Sequence, residues 1–365
     1  MSEEIANFFN ELERVYQSKL PFVAFRKPDE DLVTAFVQRT QALNELKSYK
    51  EAGFVFAPFN AIEKKIFFPF DECDSLSIKI LDIDLLDNDK TQAEKPKFNT
   101  VEALNDLKEN HIALVQKAIN FIKNKKAQKI VLSRKETFTI DQLKVVNTFK
   151  KMLKAYKNAF VYLWYHPEIG LWMGATPEKL LTVEKGKFTT MALAGTQKYN
   201  GTVDVVWQNK EKQEQQYVTD FMAENLKESV ESLDITAPFT VQAGNLVHIR
   251  TDISGKLKSV DSIENLIKIL HPTPAVCGLP KDVAAAFIME NENYHRAYYS
   301  GFLGALNNNE STNLFVNLRC MQLENNLVSI YVGGGITAES IPENEWEETV
   351  SKSEVMKKVL FHTEQ

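Results

Sequence analysis

Residues 344–354, NEWEETVSKSE, set Glu345, Glu348 and Lys352 at i, i+3 and i+7. On a helix these positions share one face, so two acids and a base stand together, an arrangement able to hold a cation beside an anion. A similar spacing recurs in NKEKQEQQYV, where Glu211 and Glu214 are three apart. Hard divalent cations such as Mg²⁺ take one or two protein carboxylates and complete an octahedron with water and substrate oxygens. Two acidic helix faces converging on one point would make such a site. Spacing alone leaves a plain alternative open: among 49 acidic residues some pairs recur by chance, and Glu pairs at helical spacing are mostly solvated faces. Softer metals are disfavoured, because the six histidines form no HxxxH or HxH, and Cys73, Cys277 and Cys320 are far apart with no CxxC.

Three further features bear on chemistry. The glycines Gly333, Gly334 and Gly335 in YVGGGITAES could offer successive backbone N–H groups to an anion, or form a tight turn after a strand. No GxGxxG or GxxxxGK[ST] accompanies them, which disfavours a nucleotide. Lys129, opening KIVLSR, and Glu178, in GATPEKLL, fall at strand ends, where catalytic side chains often lie and where solubilising ones are also common.

The elements that must position these residues follow from periodicity. Residues 1–86 read as a first helix and short apolar runs such as FVAF and GFVFAPF, and 85–100 as a polar linker. A helical period over 100–124 precedes a strand, QKIVLSRKETFTI, and a helix at 141–156. Aromatic and β-branched runs from 159 to 196, divided at PEIG and EKGK, predict hairpins. A charged helix over 208–232, strands at 239–257, a helix at 261–270, strands LFVNLRCMQL and LVSIYVGGG, and a closing helix from 342 complete the pattern. Hairpins interleaved with long helices predict antiparallel sheet layered with helices.

The 365 residues, 44% hydrophobic, suffice for one large domain or two ordinary ones. The net charge of −6 and the scattered lysines give no basic stripe for nucleic acid. No apolar run reaches the length of a membrane span, and MSEEIANFFNELERVY lacks the pattern of a signal peptide, so the cytoplasm is the expected location.

Taken together, KIVLSR, GATPEKLL, ALAGT, KEKQEQ, LHPTPAVCG, RAYYSGFLG, NLRC, GGGIT and NEWEETVSK, in this order between residues 120 and 361, resemble the chorismate-utilising enzymes, and among them the isochorismate synthases. The resemblance implies an α/β (α+β) fold with two large antiparallel sheets layered together and helices outside. It implies a single domain, 1–365, whose portion 1–100 is variable and whose portion 101–365 carries the motifs. It further implies dependence on Mg²⁺, with Glu214 and Glu348 as direct ligands and Glu211 and Glu345 as a second acidic shell acting through water. Chorismate bears two carboxylates, so the ion would bridge one of them to acids that would otherwise repel it. Arg319, Lys352 and the amides near Gly333, Gly334 and Gly335 would hold the remaining negative charge. Tyr299 resembles a substrate-contacting position, Gly195 and Thr196 match a loop beside the substrate, and His248 matches a histidine lining the pocket.

Conversion of chorismate to isochorismate needs water to attack C2 while the C4 hydroxyl leaves from the other side of the ring. The resemblance makes Lys129 the general base and Glu178 the general acid, which requires the amine neutral and the carboxyl protonated, as burial would favour. Within the family, Ala194 stands where lysine-dependent aminodeoxychorismate synthases carry a covalent lysine. HPTPAVCG with His271 differs from the PAGTxSG of anthranilate synthases, and Ala275 stands where pyruvate-eliminating relatives tend to have threonine. Salicylate synthase is the runner-up, with anthranilate and aminodeoxychorismate synthase component I behind it, and a catalytically silent scaffold would have lost one of Lys129, Glu178, Glu214 or Glu348. KEKQEQ departs from the family in lacking a common arginine and histidine. The expected enzyme is a monomer without a glutaminase subunit, feeding menaquinone or siderophore synthesis.

Overall fold

Strand Phe160–His166 shows how the molecule is layered. Val161 and Leu163 pack among apolar residues of helices Glu3–Gln17, Val145–Ala155 and Pro342–Phe361, whereas Phe160, Tyr162 and Trp164 pack against aromatic residues of a second sheet. Alternate residues of a strand point to opposite faces, so a strand buried on both sides reads as a continuous apolar run. The computed structural model describes residues 3–81, 98–141, 143–244, 246–259 and 262–361.

The first sheet has ten strands, all pairs antiparallel, in the spatial order Gly278–Leu279, Lys129–Ile140, Leu327–Ile336, Cys320–Glu324, Gly170–Thr176, Phe160–His166, Phe22–Arg26, Leu32–Gln38 and Cys73–Lys79, with Phe98–Thr100 pairing Lys129–Ile140. The second has nine: Val230–Ile235, Leu246–Leu257, Lys187–Lys198, Lys179–Glu184, Ser311–Val316, Phe302–Asn308, Gly53–Ala57 and Ile66–Pro69, with Phe239–Ala243 pairing Leu246–Leu257. These pairs are antiparallel as well. The sheets face each other across stacked rings; Phe160 lies on Phe315 with centroids 4.2 Å apart. Helices Asn209–Leu226 and Ser262–Leu270 cover the outer face of the second sheet through Val218, Met222, Leu226, Leu266 and Ile267. Helices Leu104–Lys123 and Lys281–Asn291 close the end of the first around Ile130, Leu132 and Ile336. The α+β architecture with two layered antiparallel sheets matches the expectation.

Four local readings need correction. The run LFVNLRCMQL is two strands, Ser311–Val316 in the second sheet and Cys320–Glu324 in the first, because the chain changes sheets at residues 317–319. The helix read over 208–232 ends at Leu226, and Val230–Ile235 is a strand. Gly333, Gly334 and Gly335 do not form a turn: they continue strand Leu327–Ile336, paired with Ser133, Leu132 and Val131. Gly195 and Thr196 lie in strand Lys187–Lys198, where Gly195 (φ 72°) is the extra residue of a bulge, not in a loop. Strand Phe302–Asn308 and helix Lys281–Asn291 were not anticipated. Of the linker read over 85–100, residues 85–97 lie outside the described residues, and Phe98–Thr100 is a strand. Cys73, Cys277 and Cys320 are free thiols and buried.

Candidate active site

The chain passes between the sheets at two neighbouring places, and each carries a charged residue of interest. Glu178 follows Pro177 in the passage from Gly170–Thr176 to Lys179–Glu184, and Arg319 ends the passage from Ser311–Val316 to Cys320–Glu324. The passages are tied together: Val316 N–H donates to Glu178 O at 2.9 Å, and Ala175 N–H donates to Arg319 O at 3.0 Å. Arg319 adopts a left-handed backbone (φ 46°), a conformation uncommon outside glycine and found where a chain must turn sharply or hold a functional side chain. One cavity opens beside them, lined by Glu178, Arg319, Gly195, Thr196, His248 and Tyr299, and also by Glu214, Lys352 and the three glycines Gly333, Gly334 and Gly335.

Arg319 and His248 form its anion-seeking wall. His248 Nδ1 lies 3.0 Å from Gly195 O, and His248 Nε2 lies 3.3 Å from Arg319 Nη2. Burial, with Arg319 and Lys352 close by, lowers the imidazole to about 3, so it is neutral at physiological pH, with Nδ1–H donating to the carbonyl and Nε2 accepting from the guanidinium. Arg319 Nη1 is buried with no hydrogen-bond partner among the described residues. Burial brings this guanidinium down to about 10, still fully charged at neutral pH. A buried cationic donor without a partner suits a carboxylate ligand. Tyr299 is stacked on Tyr331 at 5.5 Å, and its hydroxyl would stand 2.9 Å from a Cβ placed on Gly333.

Glu178 is only 4% exposed, and burial pushes its carboxyl up to about 7, against the pull of Lys129, Lys352 and Arg319. Lys129 is fully buried, and its Nζ lies 3.0 Å from Glu214 Oε1, an ion pair in contact but out of line for a hydrogen bond. Lys352 donates to Gly333 O at 2.8 Å and to Glu348 Oε1 at 2.6 Å. Lys210 donates to Glu345 Oε1 at 2.6 Å. Burial would raise the Glu348 carboxyl, but Lys352 and Lys210 outweigh it and hold it down at about 2, whereas burial and the adjacent Glu348 push Glu345 up to about 7 against Lys210.

The glycines explain how carboxylates from two helices reach one strand. A Cβ on Gly334 would stand 3.4 Å from Glu348 Oε1 and 3.6 Å from Glu345 Oε2, and one on Gly335 would collide with Glu214 Oε1. Glu211 sits differently: its Oε2 accepts from Gln208 N–H at 3.0 Å, closing the capping box of its own helix. It lines a second cavity, on the acid side, with Lys210, Glu345 and Glu348. Among the described residues no three carboxylate, imidazole or thiol groups are gathered closely enough to hold a metal ion, and Glu214, Glu345 and Glu348 are each paired with a lysine instead. The donor set nevertheless fits a hard cation: all are carboxylate oxygens, and Glu345 Oε2 is buried near Ser340 without a well-formed hydrogen bond.

The profile of one protein family, described as chorismate binding enzyme, matches residues 19–361. The chain belongs to the chorismate-binding enzymes. An isochorismate synthase of Escherichia coli (strain K12) is 29% identical over 287 residues, covering 74% of this chain and 73% of that protein. Among solved structures, a putative 2,3-dihydroxybenzoate-specific isochorismate synthase of Bacillus anthracis superposes with a TM-score of 0.80 at 22% identity, over 97% of this chain and 99% of the other. Anthranilate synthase component I of Streptococcus pneumoniae TIGR4 gives 0.67 at 19% identity, over 92% and 89%. At those identities the two structures establish the chorismate-binding fold and not the reaction.

For this member of the chorismate-binding enzymes, sequence spacing missed Lys210, which stands among the acids, and also Leu193, Ser300 and Tyr331 in the cavity wall. Lys210 carried a signal, since it lies four residues before Glu214 on the same helix and faces the same way. The wall residues carried none, because strand alternation does not say which neighbouring strand ends above them. No helix among the described residues is long and apolar enough to cross a membrane.

Proposed function

We propose that this chain is an isochorismate synthase, a Mg²⁺-dependent isomerase converting chorismate to isochorismate. The observation that carries the reading is Glu178, a carboxyl only 4% exposed, where burial pushes it up toward neutral, in a cavity whose glycine wall packs against the buried Lys129. In the reaction an oxygen of water bonds to C2, the ring double bonds shift, and the C4–O bond breaks, so one water enters and one leaves. Lys129 Nζ, which meets Glu214 as an ammonium in the metal-free protein, must first give up that proton and then takes the one released by the attacking water. Glu178 gives its proton to the departing C4 hydroxyl, a transfer that an ionised carboxylate could not make. Arg319, through its free Nη1–H, and Lys352 hold the substrate carboxylates, while His248 keeps the guanidinium aimed; Tyr299, Gly195 and Thr196 bound the ring. Glu214 and Glu348 would hold Mg²⁺ directly, and Glu345 and Glu211 through water. When bound, the ion would supply positive charge that offsets the negative charge of the substrate.

Two wall residues favour this reaction over its relatives. Ala194 lines the cavity, which leaves no amine at that position for a covalent intermediate, and so does Ala275, in the place where pyruvate-eliminating relatives tend to carry threonine. Because water is the nucleophile, no ammonia-supplying subunit is needed, and the chain acts as a monomer. Residues 1–365 function as one unit in this reading, since segments of the first hundred residues are strands of both sheets. The test is to incubate the pure protein with chorismate, with Mg²⁺ and with EDTA, and identify the products. Isochorismate formed only with Mg²⁺ is expected; salicylate with pyruvate, anthranilate given ammonia, or no metal-dependent turnover would overturn it.

A further inference from the structure

Each of three acids at the site has a lysine of its own: Glu214 has Lys129 at 3.0 Å, Glu348 has Lys352 at 2.6 Å and Glu345 has Lys210 at 2.6 Å. The three pairs leave the site electrically balanced without a metal. A divalent cation arriving there would bring two positive charges in excess, of which a withdrawing lysine removes one. Lys129 has no room to do so, being fully buried, and Lys352 is anchored to Gly333 O as well as to Glu348. Lys210 differs. It lines the acid-side cavity, its side chain is 18% exposed, its one side-chain hydrogen bond among the described residues goes to Glu345, and the charges acting on it are those of Glu345, Glu348 and Glu214.

We propose that Lys210 is a built-in competitor of the metal: its ammonium neutralises the acid cluster in the metal-free protein and swings out through the acid-side cavity when a divalent cation binds. This rests on the assignment of Glu214, Glu345 and Glu348 to the metal site. The residue thereby sets metal affinity without touching the substrate. The physical reason is that an unneutralised group of buried carboxylates is costly, so some cation must always be present, and a tethered one is present at high local concentration. Removing the tethered cation leaves the vacancy to the free one.

The test uses Mn²⁺ as a probe, read by the electron paramagnetic resonance signal of the unbound ion in the absence of substrate, with Mg²⁺ added to displace it. Lys210→Met and Lys210→Gln should bind Mn²⁺ about tenfold more tightly than the wild type, the scale expected when a partly exposed ion pair no longer has to be broken. Lys210→Arg, which keeps the charge, should stay near the wild type. Thermal unfolding reports that each variant is folded, and having two neutral variants guards against one that is not. Equal or weaker binding by both neutral variants, with an intact wild-type site, overturns the role of Lys210 alone. If neither the wild type nor any variant holds Mn²⁺ displaceable by Mg²⁺, the metal assignment itself falls, and this inference with it.

Discussion

At the scale of single residues, two groups bear the proposed chemistry in ways that can be separated. Lys129→Ala should lower turnover by at least about 1,000-fold while leaving chorismate binding within a fewfold, because a general base acts on the transition state and Arg319 and Lys352 remain to hold the substrate. Steady-state rates together with ligand-induced thermal shifts check it, and near-normal rates would remove the base. Glu178 gives a pH prediction with a definite sign. Its folded carboxyl titrates at about 7, above the ordinary 4.5, because burial disfavours the anion. The acid form is therefore present below about pH 7, and kcat/KM should fall as pH rises through that value. Stability has the same sign: the folded chain binds the proton more tightly than the unfolded one, so this group's burial becomes destabilising as pH climbs from 4.5 to 7. Glu178→Gln should accordingly be inactive yet more stable than the wild type at pH 8, with the gap closing below pH 4.5, as unfolding midpoints across pH would show.

At the scale of elements, the strand Leu327–Ile336 controls how closely the two acidic helices approach. Gly335→Ala puts a methyl group against Glu214 and Lys129, so it should cost more than about 100-fold in activity by misplacing the reacting amine. Gly334→Ala meets Glu348 and Glu345 at 3.4 and 3.6 Å, ordinary contact distances, and should retain most of its turnover. Comparing kcat at saturating Mg²⁺ for the two variants, with their melting temperatures, tests the difference; equal losses would mean that the glycines serve the strand and not the site. Helix Asn209–Leu226 is held in register by Gln215, whose Nε2 donates to Ala192 O at 3.2 Å and Thr251 Oγ1 at 2.9 Å. That anchor stands next to Glu214 and fixes this turn of the helix to the sheet.

At the scale of the whole molecule, the site depends on the two sheets being held face to face. Phe160, 1% exposed and stacked on Phe315, is one of the rings that span them, and Phe160→Ala should cost about 3–5 kcal/mol in denaturant unfolding, the range for large buried aromatic truncations. A loss below about 1 kcal/mol would mean that the sheets hold together without it. Much of this molecule was legible in the chain. The helical periods at 104–123 and 342–361, the hairpin turns at PEIG and EKGK, and the acids placed three apart are local patterns, and local patterns depend only on backbone period and side-chain polarity. What remained hidden was non-local. Arg319 looked like the middle of one strand because nothing in LFVNLRCMQL marks where a chain leaves one sheet for another; the change comes from which partners Val316 and Cys320 find. Glycines that read as a turn proved to be strand, since they leave room for carboxylates on a helix far earlier in the chain or on the helix that follows. Sequence by itself determined which residue types exist and on which elements they ride. Only tertiary structure decided that Glu178 and Arg319 lie on adjacent passages between sheets, that Lys129 meets Glu214 and that Lys210 meets Glu345, because burial, and the charge balance that follows from it, is a property of neighbours in space and not along the chain.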